Sequence, residues 1–180
     1  MRIYKILECS QSNGPGKRFT IWVQGCSIHC PYCVNHDTWD FNAEHGKEIS
    51  IKELIEQIDK VNPEGITITG GEPLDQFNSV LTLLKELFHK YNIFLTSGYT
   101  FEKIDKEILK YIDILISGPY INYLYSDQLL WRGSSNQEIH YLTQRGKDIV
   151  IKEHVKAEVI IDKTSATVLT TGFSIPKEIR

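Results

Sequence analysis

The sequence predicts an α/β fold: a parallel sheet arranged as a partial (β/α) TIM-like barrel, followed by a C-terminal extension of antiparallel strands. Three observations carry this expectation. Short β-branched runs alternate with helix-period segments between residues 50 and 118, the order that builds parallel strands with right-handed crossovers. The chain has 180 residues, too few for a closed eight-unit barrel, which takes about 250. Beyond about residue 140 the apolar spacing changes to short apolar/polar alternations, the pattern of antiparallel strands. One domain is expected over residues 1–180, with a core of about 1–140 and a strand-rich extension of about 141–180.

Taken in order, residues 2–9 and 18–24 are apolar-rich and extended in character, and Ser12-Asn13-Gly14-Pro15-Gly16 between them signals a turn. The second strand delivers Cys26 at its end, and an irregular stretch follows to about Gly46. Ser50-Ile51-Lys52-Glu53 has the S-x-x-E form of a capping box, in which the first and last side chains satisfy backbone N–H groups at a helix start. Ile51, Leu54, Ile55 and Ile58 then fall at helical spacing, and Asn62-Pro63 ends the helix. Ile66-Thr67-Ile68-Thr69 reads as a strand closed by Gly70-Gly71. A helix from about Gln76 to Lys90 carries Val80, Leu83, Leu84, Leu87 and Phe88 on one face. Ile93–Thr96 is the next strand, closed by Ser97-Gly98; residues 101–110 form a helix with Ile104, Ile108 and Leu109 inward; residues 112–116 form a strand closed by Ser117-Gly118-Pro119. Residues 119–136 read as a long loop. Ile139–Leu142, Ile149–Ile151, Val159–Ile161 and Val168-Leu169 complete the extension as short, mostly antiparallel strands.

Composition narrows the function. Hydrophobic content of 41% and charged content of 24% are ordinary for a soluble globular chain. A formal net charge of −3 provides no global basic field for nucleic acid. No apolar run approaches the roughly 20 residues of a membrane span. The start, Met1-Arg2-Ile3-Tyr4-Lys5, lacks the apolar core of a secretory signal, so the cytoplasm is expected, where thiols stay reduced.

Cys26, Cys30 and Cys33 are spaced C-x3-C-x2-C. This provides three thiolates to one soft metal centre and no fourth. A [4Fe–4S] cube has four irons to ligate, so one is left open to a small molecule. The competing reading is a structural zinc site completed by His29 or His36, but such sites are usually built from paired C-x2-C units, and one pair is present. A disulfide framework is disfavoured by four cysteines of which three are crowded together. Cys9, remote from the cluster, is expected to be a small buried hydrophobe.

Three predicted strands end in small-residue turns: Thr69-Gly70-Gly71-Glu72-Pro73, Thr96-Ser97-Gly98-Tyr99 and Ser117-Gly118-Pro119. Ligands of parallel α/β folds bind beyond the carboxyl ends of the strands, and glycine lets backbone approach them closely. Together with the cysteine spacing and Tyr32 just before Cys33, Thr69–Pro73 resembles the GGE motif of the radical S-adenosylmethionine (SAM) superfamily. Asn13–Arg18, Gln24-Gly25-Cys26, Cys33–Trp39, Thr96–Thr100 and Trp131–Gln137 resemble, in the same order, the glycyl-radical-enzyme activating proteins, and most nearly the branch serving anaerobic ribonucleotide reductases. The resemblance covers roughly residues 10–140. Trp22 stands where that signature usually has Phe, and Ser117 where relatives often have Asp, which removes a carboxylate and puts in doubt any monovalent cation near SAM.

The resemblance implies a [4Fe–4S] cluster on Cys26, Cys30 and Cys33, with the amino and carboxylate groups of SAM on the open iron. It implies reductive cleavage of SAM to a 5′-deoxyadenosyl radical that takes hydrogen from a glycine Cα. Gly70, Gly71, Glu72 and Pro73 would form the ammonium side of the SAM site; Glu72 is alternatively a helix N-terminal carboxylate. Tyr32 either stacks on adenine or packs in the core. Thr96 and Ser97 either bond SAM or cap the following helix, and Ser117, which closes the third turn, is counted with them among the SAM-binding residues. Arg132 and Asn136 contact the partner or SAM, or else scaffold their loop. Lys163, Lys177 and Arg180 fall on a solvated face. The implied partners are a large glycyl-radical enzyme and a flavodoxin- or ferredoxin-type electron donor, without nucleic acid or membrane. Two rivals remain at this point: a radical SAM enzyme acting on a small molecule, nucleoside precursor or peptide, and a non-catalytic metal-binding module. A zinc module needs neither GGEP nor the Ser-Gly turns.

Overall fold

A computed structural model of the protein describes residues 1–44, 46–149, 155–162 and 167–172. Its strands are β1 (Arg2–Ser10), β2 (Arg18–Val23), β3 (Lys47–Glu48), β4 (Gly65–Gly70), β5 (Asn92–Thr96), β6 (Ile114–Ser117), β7 (Glu138–Tyr141), β8 (Glu158–Asp162) and β9 (Thr167–Thr171); its α-helices are α1 (Ile51–Val61), α2 (Phe77–Leu87), α3 (Lys106–Leu109) and α4 (Gln144–Lys147). The fold is mixed α/β with one large sheet of seven strands, in the order β3-β1-β2-β4-β5-β6-β7. Within it β2, β4, β5 and β6 are parallel neighbours in chain order, while β1, β3 and β7 are antiparallel to theirs.

Local chemistry explains the helices. Ser50 Oγ accepts the Glu53 N–H at 3.1 Å, the backbone half of the expected capping box. α1 ends where Asn62 turns left-handed at φ 50°, a conformation Asn tolerates. Leu54 and Ile58 of α1, Val80, Leu83, Leu84 and Leu87 of α2, and Ile108 of α3 share one apolar core with Ile21, Ile66, Ile68, Ile93, Leu95 and Leu115 of the sheet. The helical layer therefore covers one sheet face. On the other face Arg18 is fully buried and donates to Thr67 Oγ1 at 2.7 Å, Pro15 O at 2.9 Å, Ile66 O at 2.6 Å and both Asn92 oxygens at 3.0–3.1 Å. Burial lowers its pKa to about 9. These bonds strap the turn before β2 to β4 and β5.

Four expectations change. The helix expected over 101–110 splits into a 3-10 turn (Phe101–Lys103) and the single turn α3, because Asp105 caps a new start by accepting the Glu107 N–H at 2.8 Å. α2 begins after a 3-10 turn at Pro73–Gln76 and stops at Leu87. Cys9 is exposed rather than a buried hydrophobe. Ile149 lies in no strand and packs on Phe94, Ile114, Ile116 and Trp131; Val150 and Ile151 fall outside the described residues, as do Lys163, Lys177 and Arg180.

The strand-rich extension divides. β7 joins the large sheet beside β6, whereas β8 and β9 form a separate two-stranded antiparallel sheet. Glu158 on β8 ties that pair to the end of β1: its carboxylate accepts from Ser10 Oγ at 2.6 Å, Gln11 N at 2.9 Å, Ser12 N at 3.0 Å and Ser12 Oγ at 2.7 Å. Burial alone would raise the Glu158 pKa, but these donors outweigh it and hold it below the ordinary carboxylate value. No helix among the described residues is long and apolar enough to cross a membrane.

Candidate active site

The carboxyl ends of the four parallel strands and the cysteine loop enclose a cavity of about 310 Å³. Cys26, Cys30 and Cys33 all line it, together with Gly70, Gly71, Glu72, Thr96, Ser97 and Gly98. The loop is held at its base by Gly25 N donating to Thr38 O at 2.7 Å and Cys26 N to Trp39 O at 3.1 Å. Asp75 holds the next residue, accepting from Ser27 N at 2.6 Å, Ser27 Oγ at 2.9 Å and Tyr99 OH at 3.0 Å. His29 at φ 50° and Tyr32 at φ 62° are left-handed, one immediately before Cys30 and one immediately before Cys33. These two reversals fold eight residues tightly enough to bring three thiols to one cavity.

The surroundings of those thiols fit an iron–sulfur cluster. Burial raises all three pKa values; backbone N–H groups of Ile28 and His29 at Cys26, Tyr120 at Cys30 and Asn35 at Cys33 oppose the rise. Such donors stabilise thiolate sulfur. The Trp39 indole also lowers the Cys33 pKa, yet its Nε1 is buried with no completed hydrogen bond in the protein. A buried donor beside a thiol, lacking a partner, suits a sulfur-rich group in the cavity. The two histidines of the zinc alternative each have another neighbour. His29 stacks on Trp39 at 4.8 Å between ring centroids, and His36 pairs with Asp37 at 2.9 Å.

The turn after β4 meets the loop directly. Gly71 N donates to Val23 O at 2.9 Å and Glu72 N to Gly25 O at 2.8 Å. A Cβ on Gly71 would overlap the Gly25 carbonyl oxygen, so this glycine is required by the cysteine loop itself. Glu72 is 1% exposed and accepts from Leu74 N at 2.9 Å, Ser97 Oγ at 2.9 Å and Gly98 N at 2.8 Å. It caps the 3-10 turn, as one of its two readings held, and burial raises its pKa to about 7. Pro73 is the first residue of that turn and lies outside the cavity lining. Thr96 Oγ1 donates to Thr69 Oγ1 at 2.7 Å.

Other expected residues fall elsewhere. Tyr32 is 78% exposed, which removes the core-packing alternative, and it does not line the cavity. Ser117 also lies outside the lining and bonds His140 Nε2 at 2.8 Å, because the β6–β7 pairing turns it toward that neighbouring strand. Arg132 donates to Gln137 O at 2.9 Å and Asn136 to Pro119 O at 2.8 Å, the loop-scaffold arrangement. Gly133 and Gln137 line the cavity instead. Sequence reasoning assigned no role to Asp75, Trp39, Tyr4 or Lys5. Trp39 lies within the segment after the cysteines that carries the family resemblance, whereas Tyr4, Lys5 and Asp75 carry no local signal.

The model for a 4Fe-4S single cluster domain matches residues 12–140. A relative in Enterobacteria phage T4, named anaerobic ribonucleoside-triphosphate reductase-activating protein, is 37% identical over 148 residues, covering 77% of this chain and 93% of its own. Proteins of the same name are 31% identical in Salmonella typhi (79% of this chain, 99% of theirs) and 30% identical in Escherichia coli K12 (72% and 92%). Among solved structures, QueE from Escherichia coli is similar at TM-score 0.47 and 15% identity, over 62% of this chain and 68% of that one. That likeness is too slight to bear on fold or chemistry.

Proposed function

The chain belongs to the anaerobic ribonucleoside-triphosphate reductase-activating protein family, and from that premise we propose that it installs a glycyl radical on a partner reductase by reductive cleavage of SAM. One observation carries the reading: three cysteines, and no fourth, open into the same cavity as the glycine-rich ends of β4 and β5. Cys26, Cys30 and Cys33 would hold the cluster, with backbone N–H groups and the Trp39 indole beside their thiols. The [4Fe–4S] cluster, when bound, supplies one electron that splits SAM into methionine and a 5′-deoxyadenosyl radical, which takes a hydrogen atom from a glycine Cα.

The chain's own residues position that chemistry. Gly70 and Gly71 bring backbone close to the SAM ammonium. Glu72, with its pKa near 7, ionises fully when that cation arrives. Thr96 and Ser97 present hydroxyls to the sugar or carboxylate side. Tyr32, exposed on the cysteine loop, serves as an adenine platform at the rim, while Arg132 and Asn136 shape the loop that meets the partner. Pro73 and Ser117 support the site by holding the turns.

The sheet is read as a partial barrel in a single domain with its extension. Sequential parallel strands, with the helical core on one face, support this. An open side would admit a polypeptide loop. A flavodoxin- or ferredoxin-type protein in the cytoplasm would deliver the electron, and neither nucleic acid nor membrane takes part.

The test is anaerobic incubation with SAM, a reductant and the partner reductase. A glycyl radical should appear by EPR on the reductase, with 5′-deoxyadenosine formed in proportion. SAM turnover with a small molecule, and no radical on any candidate partner, would replace this reading with a small-molecule radical SAM enzyme.

A further inference from the structure

Resting on the SAM-cleaving reading, we propose that Lys5 is the anion subsite of this cavity and receives a carboxylate there. The argument begins with strand register. β1 pairs with β2 as Ile3↔Val23 and then Lys5↔Trp22, so Tyr4 is an extra residue, a β-bulge. Strict alternation would place Lys5 on the face of Ile3, which is 2% exposed in the apolar core. An ammonium cannot be accommodated there without a partner. The bulge turns Lys5 onto the face of Trp22, and Ile6, opposite Ile21, returns to the core. Bulges are a common device for re-aiming a side chain beside an active site.

Lys5 and Trp22 both line the cavity. The ammonium sits 5.5 Å from the Trp22 ring centroid, and among the described residues no carboxylate meets it. Burial pushes its pKa down, as expected for a cation given a ring but no counter-ion. It is the one Lys, Arg or His in the described lining, and Glu72 is the one acid. A site with one acid and one unpaired cation favours a ligand bearing both charges. The proposed reactants carry carboxylates and no phosphate, so the anion is either the methionine carboxylate of SAM or an acidic side chain of the docked polypeptide.

The experiment uses anaerobically reconstituted protein, wild type, K5M and K5R, each checked for unchanged iron content. Calorimetry is run with SAM and with decarboxylated SAM, and reductase affinity is measured at two salt concentrations. If the carboxylate is that of SAM, K5M loses about tenfold in SAM affinity, the scale of one charge-assisted contact, decarboxylated SAM is unaffected, and K5R recovers most of the loss. If it belongs to the polypeptide, SAM affinity holds while reductase affinity falls about tenfold and loses part of its salt dependence. Equal losses for SAM and its decarboxylated form, or no loss in either arm, overturns the proposal. Wild-type protein that holds iron yet binds no SAM overturns instead the reading on which it rests.

Discussion

Ser97 Oγ donates to Glu72 Oε1 at 2.9 Å, a bond between two turns that follow different strands. It joins the GGE turn after β4 to the Ser-Gly turn after β5, and Gly98 N reinforces it on the other carboxylate oxygen at 2.8 Å. One wall of the cavity therefore depends on a buried carboxylate whose pKa is raised to about 7 by burial.

This sets a pH dependence. A carboxylate with a folded pKa above its ordinary value of 4.5 binds a proton in the native state that the unfolded chain has released. Stability of the metal-free protein should fall as pH rises from about 4.5 through 7, by on the order of 1–3 kcal/mol. Urea unfolding at pH 5.5 and 8 should show this for wild type and a flatter profile for Glu72→Gln. Identical profiles would mean that Glu72 is already ionised in the folded protein.

Iron content should separate the cysteines. Reconstituted protein should bind about four irons; Cys26→Ala, Cys30→Ala and Cys33→Ala should each lose most of it, and Cys9→Ala should not. Gly71→Ala should lose iron as well as SAM, because its new Cβ displaces the Gly25 carbonyl beside Cys26. Retention of full iron by Gly71→Ala would show that the loop relaxes around the added methyl group.

Trp39→Phe tests the unpartnered indole N–H. The ring stack on His29 can survive, so iron content should hold. A hydrogen bond to sulfur favours the more negative, reduced cluster. Losing it should shift the reduction potential negative by on the order of tens of millivolts, since such donors are among the determinants of cluster potential. An EPR-monitored redox titration gives the answer, and an unchanged midpoint would place the N–H away from sulfur.

Glu158→Ala should loosen the β8–β9 pair from the turn after β1. Ser10, Ser12 and the Gln11 N–H lose their acceptor, a destabilisation of about 1–3 kcal/mol. Hydrogen exchange should rise at residues 10–13 and 158–162 with little change in α1 or α2. In wild type the Glu158 pKa is depressed, so its contribution is present above the ordinary carboxylate value and is lost as pH falls through the folded one. Protection should follow that course. Uniform exchange across the variant would assign Glu158 to global rather than local stability.

The elements were legible wherever the signal was local. The helix after Ser50 and the strands before Gly70 and Ser97 were readable because capping, β-branching and glycine act over a few residues. The helix expected over 101–110 failed at Asp105, whose side chain favours a fresh cap over helix interior. The exposure of Cys9 is not legible in the sequence because burial depends on what covers a strand, which composition does not state. Tyr32 had two readings, and only the packed loop showed that its ring faces solvent.

By itself the sequence determined the donor set and the turns: C-x3-C-x2-C at residues 26–33, and the small residues that end β4 and β5, are covalent facts read directly from the chain. The tertiary structure alone decided which groups meet them. Lys5 faces the cavity because of a one-residue register slip against β2, and Glu72 meets Ser97 because β4 and β5 lie side by side. Arg132 and Asn136 turn inward on their own loop, and Glu158 reaches back 148 residues to Ser10. The physical reason is range: spacing and backbone propensity act between neighbours in the chain, whereas the direction of a side chain into a shared cavity is set by strand pairing between residues far apart in sequence.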